Sequence, residues 1–122
     1  MLDMSLEIAK KIAVANDQYP KWSLGCCIVK GGAIQAVGWN KKKSEPTFLD
    51  DHTNCSIHAE IMALRQMNFK ARRCTLYIAR WRKGGGYGLS KPCERCKPVI
   101  KKAGIKKVVF TVDNESYGVW IP

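Results

Sequence analysis

Four side chains in two short segments have the types and spacing of a metal-dependent active site. His58 and Glu60 are two residues apart, and Cys93 and Cys96 are three apart. One imidazole and two thiolates are three protein ligands for a tetrahedral zinc ion, and the open fourth position is typical of catalytic sites. A carboxylate two residues from a ligand histidine can lie beside the metal without binding it. We therefore expect Glu60 to act as a general acid and base.

A closed zinc site is the alternative, because Cys55 precedes His58 by three residues. Cys55 would then join His58, Cys93 and Cys96 in a Cys3His set, which is a structural arrangement. The chain would in that case be a non-catalytic, zinc-stabilised nucleic-acid-binding module. The presence of Glu60 argues against this alternative, because a structural site has no use for a proton-transferring carboxylate.

Apolar periodicity and turn residues predict the elements that carry these side chains. An opening helix ends before Tyr19 and Pro20, and residues 24–30 and 33–40 form a hairpin around two consecutive glycines. A second helix carries His58 and Glu60 in its first turn, and residues 75–81 form a strand. A third helix begins at Ser90-Lys91-Pro92, with both cysteines on one of its faces, and ends at Gly104.

The end of the chain predicts one more strand pair. Residues 107–112 read as a strand, and only six residues separate it from the apolar run at 119–121. A parallel return needs a crossover of a dozen or more residues, so these strands must be antiparallel. The order α-β-β-α-β-α-β implies a mixed sheet between helical layers, with both metal-bearing helices on one face.

The H-x-E and P-C-x-x-C motifs resemble those of the cytidine and deoxycytidylate deaminase superfamily of zinc enzymes. The likeness extends from about residue 26 to residue 110. It implies a three-layer α/β fold of the cytidine-deaminase type, and a single zinc-dependent deaminase domain over residues 1–122. It also implies that His58, Cys93 and Cys96 bind Zn2+ while Glu60 transfers the proton.

The resemblance also indicates where a substrate would bind. Val37-Gly38-Trp39-Asn40 looks like the strand end whose asparagine contacts the sugar in several branches, and an amide can both donate to and accept from a ribose oxygen. The substrate contacts that we expect are Asn40, Ala59, Trp81, Ser90 and Pro92.

Charge indicates an anionic partner. The chain has 21 Lys and Arg against 10 Asp and Glu, a formal net charge of +11. Such an excess attracts nucleotides and polynucleotides alike. Two basic segments could bind phosphates and stack bases. They are lysines 41–43 and residues 80–87, which include Arg80, Trp81 and Tyr87. The alternative is that these residues form a solvated basic surface, with Trp81 packed inward.

We expect hydrolytic deamination of cytosine to uracil in a cytidine or deoxycytidine nucleoside or nucleotide similar to dCMP. Deamination of cytosine or adenine in single-stranded DNA or RNA is the alternative. The sequence has no apolar run of membrane-spanning length and no signal peptide pattern, which predicts a cytoplasmic protein without a membrane partner. Reduced thiols fit the cysteine pattern, and the sequence is compatible with a homo-oligomer.

Overall fold

The computed structural model describes residues 4–16, 22–42 and 56–122. In chain order their elements are α1 (Met4–Ala15), β1 (Trp22–Lys30), β2 (Ala33–Trp39), β3 (Lys41–Lys42), β4 (Ser56–Ile57), α2 (Ala59–Gln66), β5 (Thr75–Arg82), β6 (Gly86–Gly88), α3 (Cys96–Ala103), β7 (Lys107–Thr111) and β8 (Tyr117–Trp120). The longest of these helices, α1, has 12 residues. No helix in these ranges has the length and apolar character needed to span a membrane.

The strands form the mixed sheet predicted from the element order. Its strand order is β2-β1-β5-β7-β8, with β6 paired to the outer part of β5. Strands β5 and β7 are parallel, and the other pairs of this sheet are antiparallel. The predicted antiparallel C-terminal pair is confirmed by β7 and β8, in which Val108 lies opposite Trp120. Strands β3 and β4 form a separate two-residue pair.

Helices cover both faces of the sheet, which confirms the three-layer architecture. On one face, Leu6 and Ala9 of α1 are buried in a cluster with Cys27. On the other face, Ile61 of α2 and Ile100 of α3 are buried in a second cluster. Alternate side chains of a strand point to opposite faces, so β1 and β5 contribute to both clusters. The α2/α3 face is the one that carries the metal-binding motifs.

The predicted hairpin brings both helical layers close to the sheet. Gly31 and Gly32 form its turn with φ angles of 58° and 82°, a region that glycine enters at little cost. A methyl group on Gly25 would collide with the backbone of α1, and one on Gly38 would collide with the carbonyl oxygen of Ala59 in α2. These two glycines therefore set how closely each helix approaches its own face.

The third helix begins later than the sequence predicts. It starts at Cys96 rather than near Pro92, and Ser90 does not cap it. The reason is that the Ser90 hydroxyl lies within 3.0 Å of the Ile78 carbonyl oxygen and 2.9 Å from Thr111 Oγ1, which ties it to β5 and β7. The prediction that Gly104 ends the helix is confirmed, because Gly104 adopts φ 92° at the C-cap.

The second helix also begins later than predicted. Ile57, the residue before His58, pairs with Lys41 in the β3–β4 ladder. His58 has extended backbone angles of −72° and 144°, and the helix starts at Ala59. His58 therefore occupies the N-cap, at the junction between a strand and the helix.

Candidate metal centre and active site

The metal-binding motifs meet where the first turns of α2 and α3 face each other. His58 is the N-cap of α2, and Cys96 is the first residue of α3. Cys93 lies in the turn that leads into α3, where its carbonyl oxygen accepts hydrogen bonds from the backbone N–H groups of Cys96 at 3.0 Å and Lys97 at 3.1 Å. This turn replaces the predicted helical i, i+3 spacing and still brings both thiols to the same side.

The donor atoms of His58, Cys93 and Cys96 lie within 4.8 Å of one another. His58 Nδ1 is 3.1 Å from Cys96 Sγ and 3.5 Å from Cys93 Sγ, and the two sulfurs are 3.5 Å apart. Zinc bonds of about 2.3 Å to sulfur and about 2.0 Å to nitrogen place tetrahedral ligands roughly 3.5–3.8 Å apart. The three residues therefore fit a zinc ion in both chemistry and spacing.

The pKa values of the Cys93 and Cys96 thiols are shifted in opposite directions. Hydrogen bonding with Cys96 and with the His58 ring lowers the pKa of Cys93 to about 3. The hydrogen bond to Cys93, together with burial, raises the pKa of Cys96 well above its ordinary value. A zinc ion bound by both residues would stabilise both as thiolates.

Glu60 lies beside these donors in the second position of α2. Its side chain is only 4% exposed, and its Oε1 atom is buried without a hydrogen-bond partner among the described residues. Burial raises the pKa of Glu60 above that of a free carboxyl group. A buried carboxyl group with a raised pKa and one unpartnered oxygen is suited to proton transfer.

These side chains open into a pocket of about 180 Å3. His58, Glu60 and Cys93 form its metal-facing wall. The remaining lining residues are Trp22, Leu24, Arg80, Leu89, Ser90 and Lys91. Pockets for drug-sized ligands measure about 300–1,000 Å3, so this one has room for a single base-sized group beside the donors.

The structure brings three of the five expected substrate contacts next to the donors. Ser90 lines the pocket. Ala59 and Pro92 are buried chain neighbours of His58 and Cys93. The Ala59 carbonyl oxygen is 3.2 Å from the Cys26 thiol, which donates to it and joins the start of α2 to β1.

Asn40 forms a hydrogen bond with a residue that lines the pocket. Its Oδ1 atom accepts hydrogen bonds at 2.7 Å from the backbone N–H of Leu24, which lines the pocket, and at 2.7 Å from Asn16 Nδ2. Its own Nδ2 group is buried without a hydrogen-bond partner among the described residues. Asn40 is therefore linked to the pocket through Leu24 and does not itself line it.

Trp81 is not brought to the pocket. It packs against the α1-side cluster, and its ring centroid lies 5.1 Å from that of Tyr87. The preceding residue, Arg80, points to the α2/α3 face and lines the pocket instead. Strand β5 is buried on both faces over residues 75–79, so its sequence shows no polar alternation that would have indicated which residues face the site.

Part of the basic surface is engaged in internal contacts. Lys83 Nζ donates a 2.8 Å hydrogen bond to the carbonyl oxygen of Asn16, next to the C-terminal end of α1. Lys10 pairs with Glu7 at 3.1 Å and lies over the Tyr87 ring. Lysine 43 and Cys55, the alternative fourth zinc ligand, lie outside the described residues.

A three-layer α/β fold with a His-Cys-Cys donor set and a buried carboxylate is typical of zinc-dependent deaminases. The chain belongs to the family described as the cytidine and deoxycytidylate deaminase zinc-binding region, whose model matches residues 2–112. Zinc is the cofactor of this family, in agreement with the sequence-based prediction.

Known proteins of several kinds are similar to this chain. The riboflavin biosynthesis protein RibD of Aquifex aeolicus is 32% identical over 108 residues, which are 88% of this chain and 26% of RibD. The diaminohydroxyphosphoribosylamino-pyrimidine deaminase of Buchnera aphidicola is 34% identical over 92 residues, 75% of this chain and 52% of that protein. The dCMP deaminase of cyanophage S-TIM5 has 27% identity and a TM-score of 0.63, with 92% of this chain and 82% of that chain covered. The chain thus spans about a quarter to a half of the curated relatives named here.

Proposed function

We propose that this chain catalyses zinc-dependent hydrolytic deamination of a cytosine nucleoside or nucleotide, with release of ammonia. The observation that carries the proposal is the meeting of three zinc-type donors with one buried carboxylate. His58, Cys93 and Cys96 provide the donors. Glu60, whose Oε1 atom has no partner among the described residues, lines the same pocket as His58 and Cys93. A purely structural zinc site would have no reason to bury a carboxylate with an unpartnered oxygen beside it, because that burial costs stability.

In the proposed reaction, His58, Cys93 and Cys96 hold the metal. A zinc ion in this position supplies a Lewis acid that makes water nucleophilic near neutral pH. Glu60 takes the proton from the attacking water and delivers it to the substrate, so that the amino group leaves as ammonia and a carbonyl group replaces it. Glu60 itself is buried, so bulk water has little access to its carboxyl group, which strengthens its interaction with the reacting atoms.

The proposed substrate is a pyrimidine that carries a sugar, with cytosine as the base. The similarity to a dCMP deaminase over 82% of that chain supports this choice. The pocket of about 180 Å3 has room for one base-sized group. The excess of positive charge favours a phosphorylated form.

A phosphoribosylamino-pyrimidine is the second candidate substrate, because the Buchnera deaminase has 34% identity to this chain. Its name describes an amino-pyrimidine with a phosphoribosyl group, so both candidates present a ring amine and a sugar phosphate. Cytosine in an oligonucleotide receives less support, because Trp81 packs away from the pocket and Lys83 is bound to the Asn16 carbonyl oxygen.

The test is to incubate the zinc-loaded protein with cytidine, deoxycytidine, their 5′-monophosphates, the phosphoribosylamino-pyrimidine and a cytosine-containing oligonucleotide, and to follow ammonia release. We expect turnover of at least one cytosine nucleoside or monophosphate. A Glu60→Gln protein with a full zinc complement is the control for contaminating deaminases. Turnover of the oligonucleotide alone, or no ammonia from any cytosine compound, would contradict the proposal.

A further inference from the structure

Arg80 is a cation placed at the end of an otherwise buried strand. The five residues of β5 that precede it are buried, and Arg80 itself is half-buried. Its backbone N–H donates a hydrogen bond to Thr111 Oγ1 at 3.1 Å, which fixes the strand at this position. Its side chain lines the same pocket as His58 and Glu60, on the side away from the α1 layer. Arg80 is therefore part of the pocket wall rather than of the outer surface.

The guanidinium group of Arg80 is held in place without a charge partner. It lies over the ring of Trp22, 5.0 Å from the ring centroid, within the range of a cation–π contact. The ion pairs of the described residues join Lys10 to Glu7 and Lys97 to Glu94, and none of them includes Arg80. Its Nε atom is buried without a hydrogen-bond partner in the described part of the chain.

Such a group costs stability when the pocket is empty. A buried donor left unpaired lowers the stability of the folded protein. The planar guanidinium fork is suited to two oxygen atoms of one anion, most often a carboxylate or a phosphate. Lys91, at the same pocket, adds a second positive charge. The wall thus favours an anion a short distance from the reacting base.

We propose that Arg80, held against Trp22, binds the phosphate of a nucleoside 5′-monophosphate and makes the pocket selective for that form over the free nucleoside. This inference rests on the proposed deaminase function and assigns a specificity-determining residue within the same site. A monophosphate fits better than an oligonucleotide, because the pocket admits one base and Lys83 is engaged with α1.

The test compares Arg80→Gln and Arg80→Lys with the unaltered protein on CMP and cytidine. We expect Arg80→Gln to lower the ratio of kcat/KM for CMP to that for cytidine by about ten- to a hundredfold, the range for losing a hydrogen bond to a charged group. Arg80→Lys keeps the charge without the fork and should recover only part of the ratio. Arg82→Gln is the matched control, because Arg82 lies two residues along the same strand, is exposed and does not line the pocket.

Binding separates this inference from the proposed reaction. The affinities of CMP and cytidine for zinc-loaded Glu60→Gln protein, measured by calorimetry, report recognition without turnover. We expect CMP to bind more tightly, and adding Arg80→Gln to remove most of that advantage, even if the protein deaminates another base. Equal losses for CMP and cytidine, an equal effect of Arg82→Gln, or tighter binding of a cytosine oligonucleotide than of CMP would overturn the assignment.

Discussion

The two faces of the sheet differ in how their buried polar groups are satisfied. On the α1 face, the Ser23 hydroxyl donates to the Ala13 carbonyl oxygen at 2.6 Å, and Lys83 donates to Asn16. In the described part of the chain, three buried side-chain atoms lack a partner, namely Asn40 Nδ2, Glu60 Oε1 and Arg80 Nε. Glu60 and Arg80 line the pocket on the α2/α3 face.

This difference places the unpartnered groups that could take part in chemistry on the α2/α3 face. Buried polar groups in folded proteins nearly always have partners, so a cluster of exceptions needs a reason. A substrate and a metal ion would supply the missing partners on the α2/α3 face. The comparison predicts that equivalent changes on the two faces have different consequences, and the following variants disturb each face in turn.

The largest effect is expected from Cys96→Ala, which removes a buried zinc ligand. The protein should lose its zinc, its activity and several kcal/mol of unfolding free energy, because metal binding contributes to folding. Cys27→Ala is the control, since Cys27 is an equally buried thiol on the α1 face. It should keep one zinc per chain and lose about 1 kcal/mol. Zinc analysis and thermal unfolding measure both effects, and equal zinc loss in the two variants would refute the comparison.

The next largest effect is on turnover alone. Glu60→Gln should keep the zinc and the fold while activity falls on the order of 10²- to 10⁴-fold, because proton transfer is lost and coordination is not. Removal of a buried, unpartnered charge should leave the melting temperature equal to or above that of the original protein. Turnover that survives in a zinc-replete Glu60→Gln protein would show that another group transfers the proton.

A matched pair of glycines tests the two helical layers. Gly25→Ala and Gly38→Ala place a methyl group against the backbone of α1 and of α2 respectively. Each should lower the unfolding free energy by about 1–3 kcal/mol, the usual cost of overpacking. Only Gly38→Ala displaces the helix that begins at His58, so it should also weaken zinc binding and activity. A larger loss of zinc from the Gly25→Ala protein than from the Gly38→Ala protein would contradict the assignment of the zinc site to the α2/α3 face.

The smallest effect is expected far from the pocket, in the β7–β8 turn. Hydrogen bonds from the backbone N–H of Glu115 and from the Ser116 side chain and backbone lower the pKa of Asp113. A lowered folded-state pKa gives stability that is present above the unfolded value of about 3.9 and is lost as the pH falls through the folded value. Asp113→Asn should therefore melt slightly lower at pH 7, and the difference should vanish in acid. A difference that grows in acid would reverse the predicted sign.

The sequence predicted the parts of the fold that depend on local pattern. The strand pair around Gly31 and Gly32, the helix stop at Gly104 and the antiparallel β7–β8 pair follow from turn chemistry and connection length. The helix starts were wrong because they depend on tertiary contacts. Ser90 resembles an N-cap in sequence, but its hydroxyl binds Ile78 and Thr111, residues distant in the chain.

The sequence was sufficient to predict the candidate metal-binding residues, but not the pocket beside them. His58, Glu60, Cys93 and Cys96 are recognisable because metal chemistry restricts the residue types and their spacing. The substrate wall has no such restriction. Whether Trp81 or Arg80 faces the pocket depends on which side of β5 each side chain lies. Because β5 is buried on both faces, the sequence does not indicate this, and a shift of one residue exchanges the faces. Arg80 is the residue that lines the pocket, and the burial of its Nε atom can be seen only in the three-dimensional structure.

The central claim is that three side chains of this chain hold zinc and leave one coordination position open for water. X-ray absorption at the zinc edge of the zinc-loaded protein measures the ligand set directly. We predict two sulfur ligands from Cys93 and Cys96, one nitrogen from His58 and one light-atom ligand from solvent, unchanged in a Cys55→Ser variant. Three sulfur ligands, falling to two in Cys55→Ser, would show a closed structural site and contradict the account.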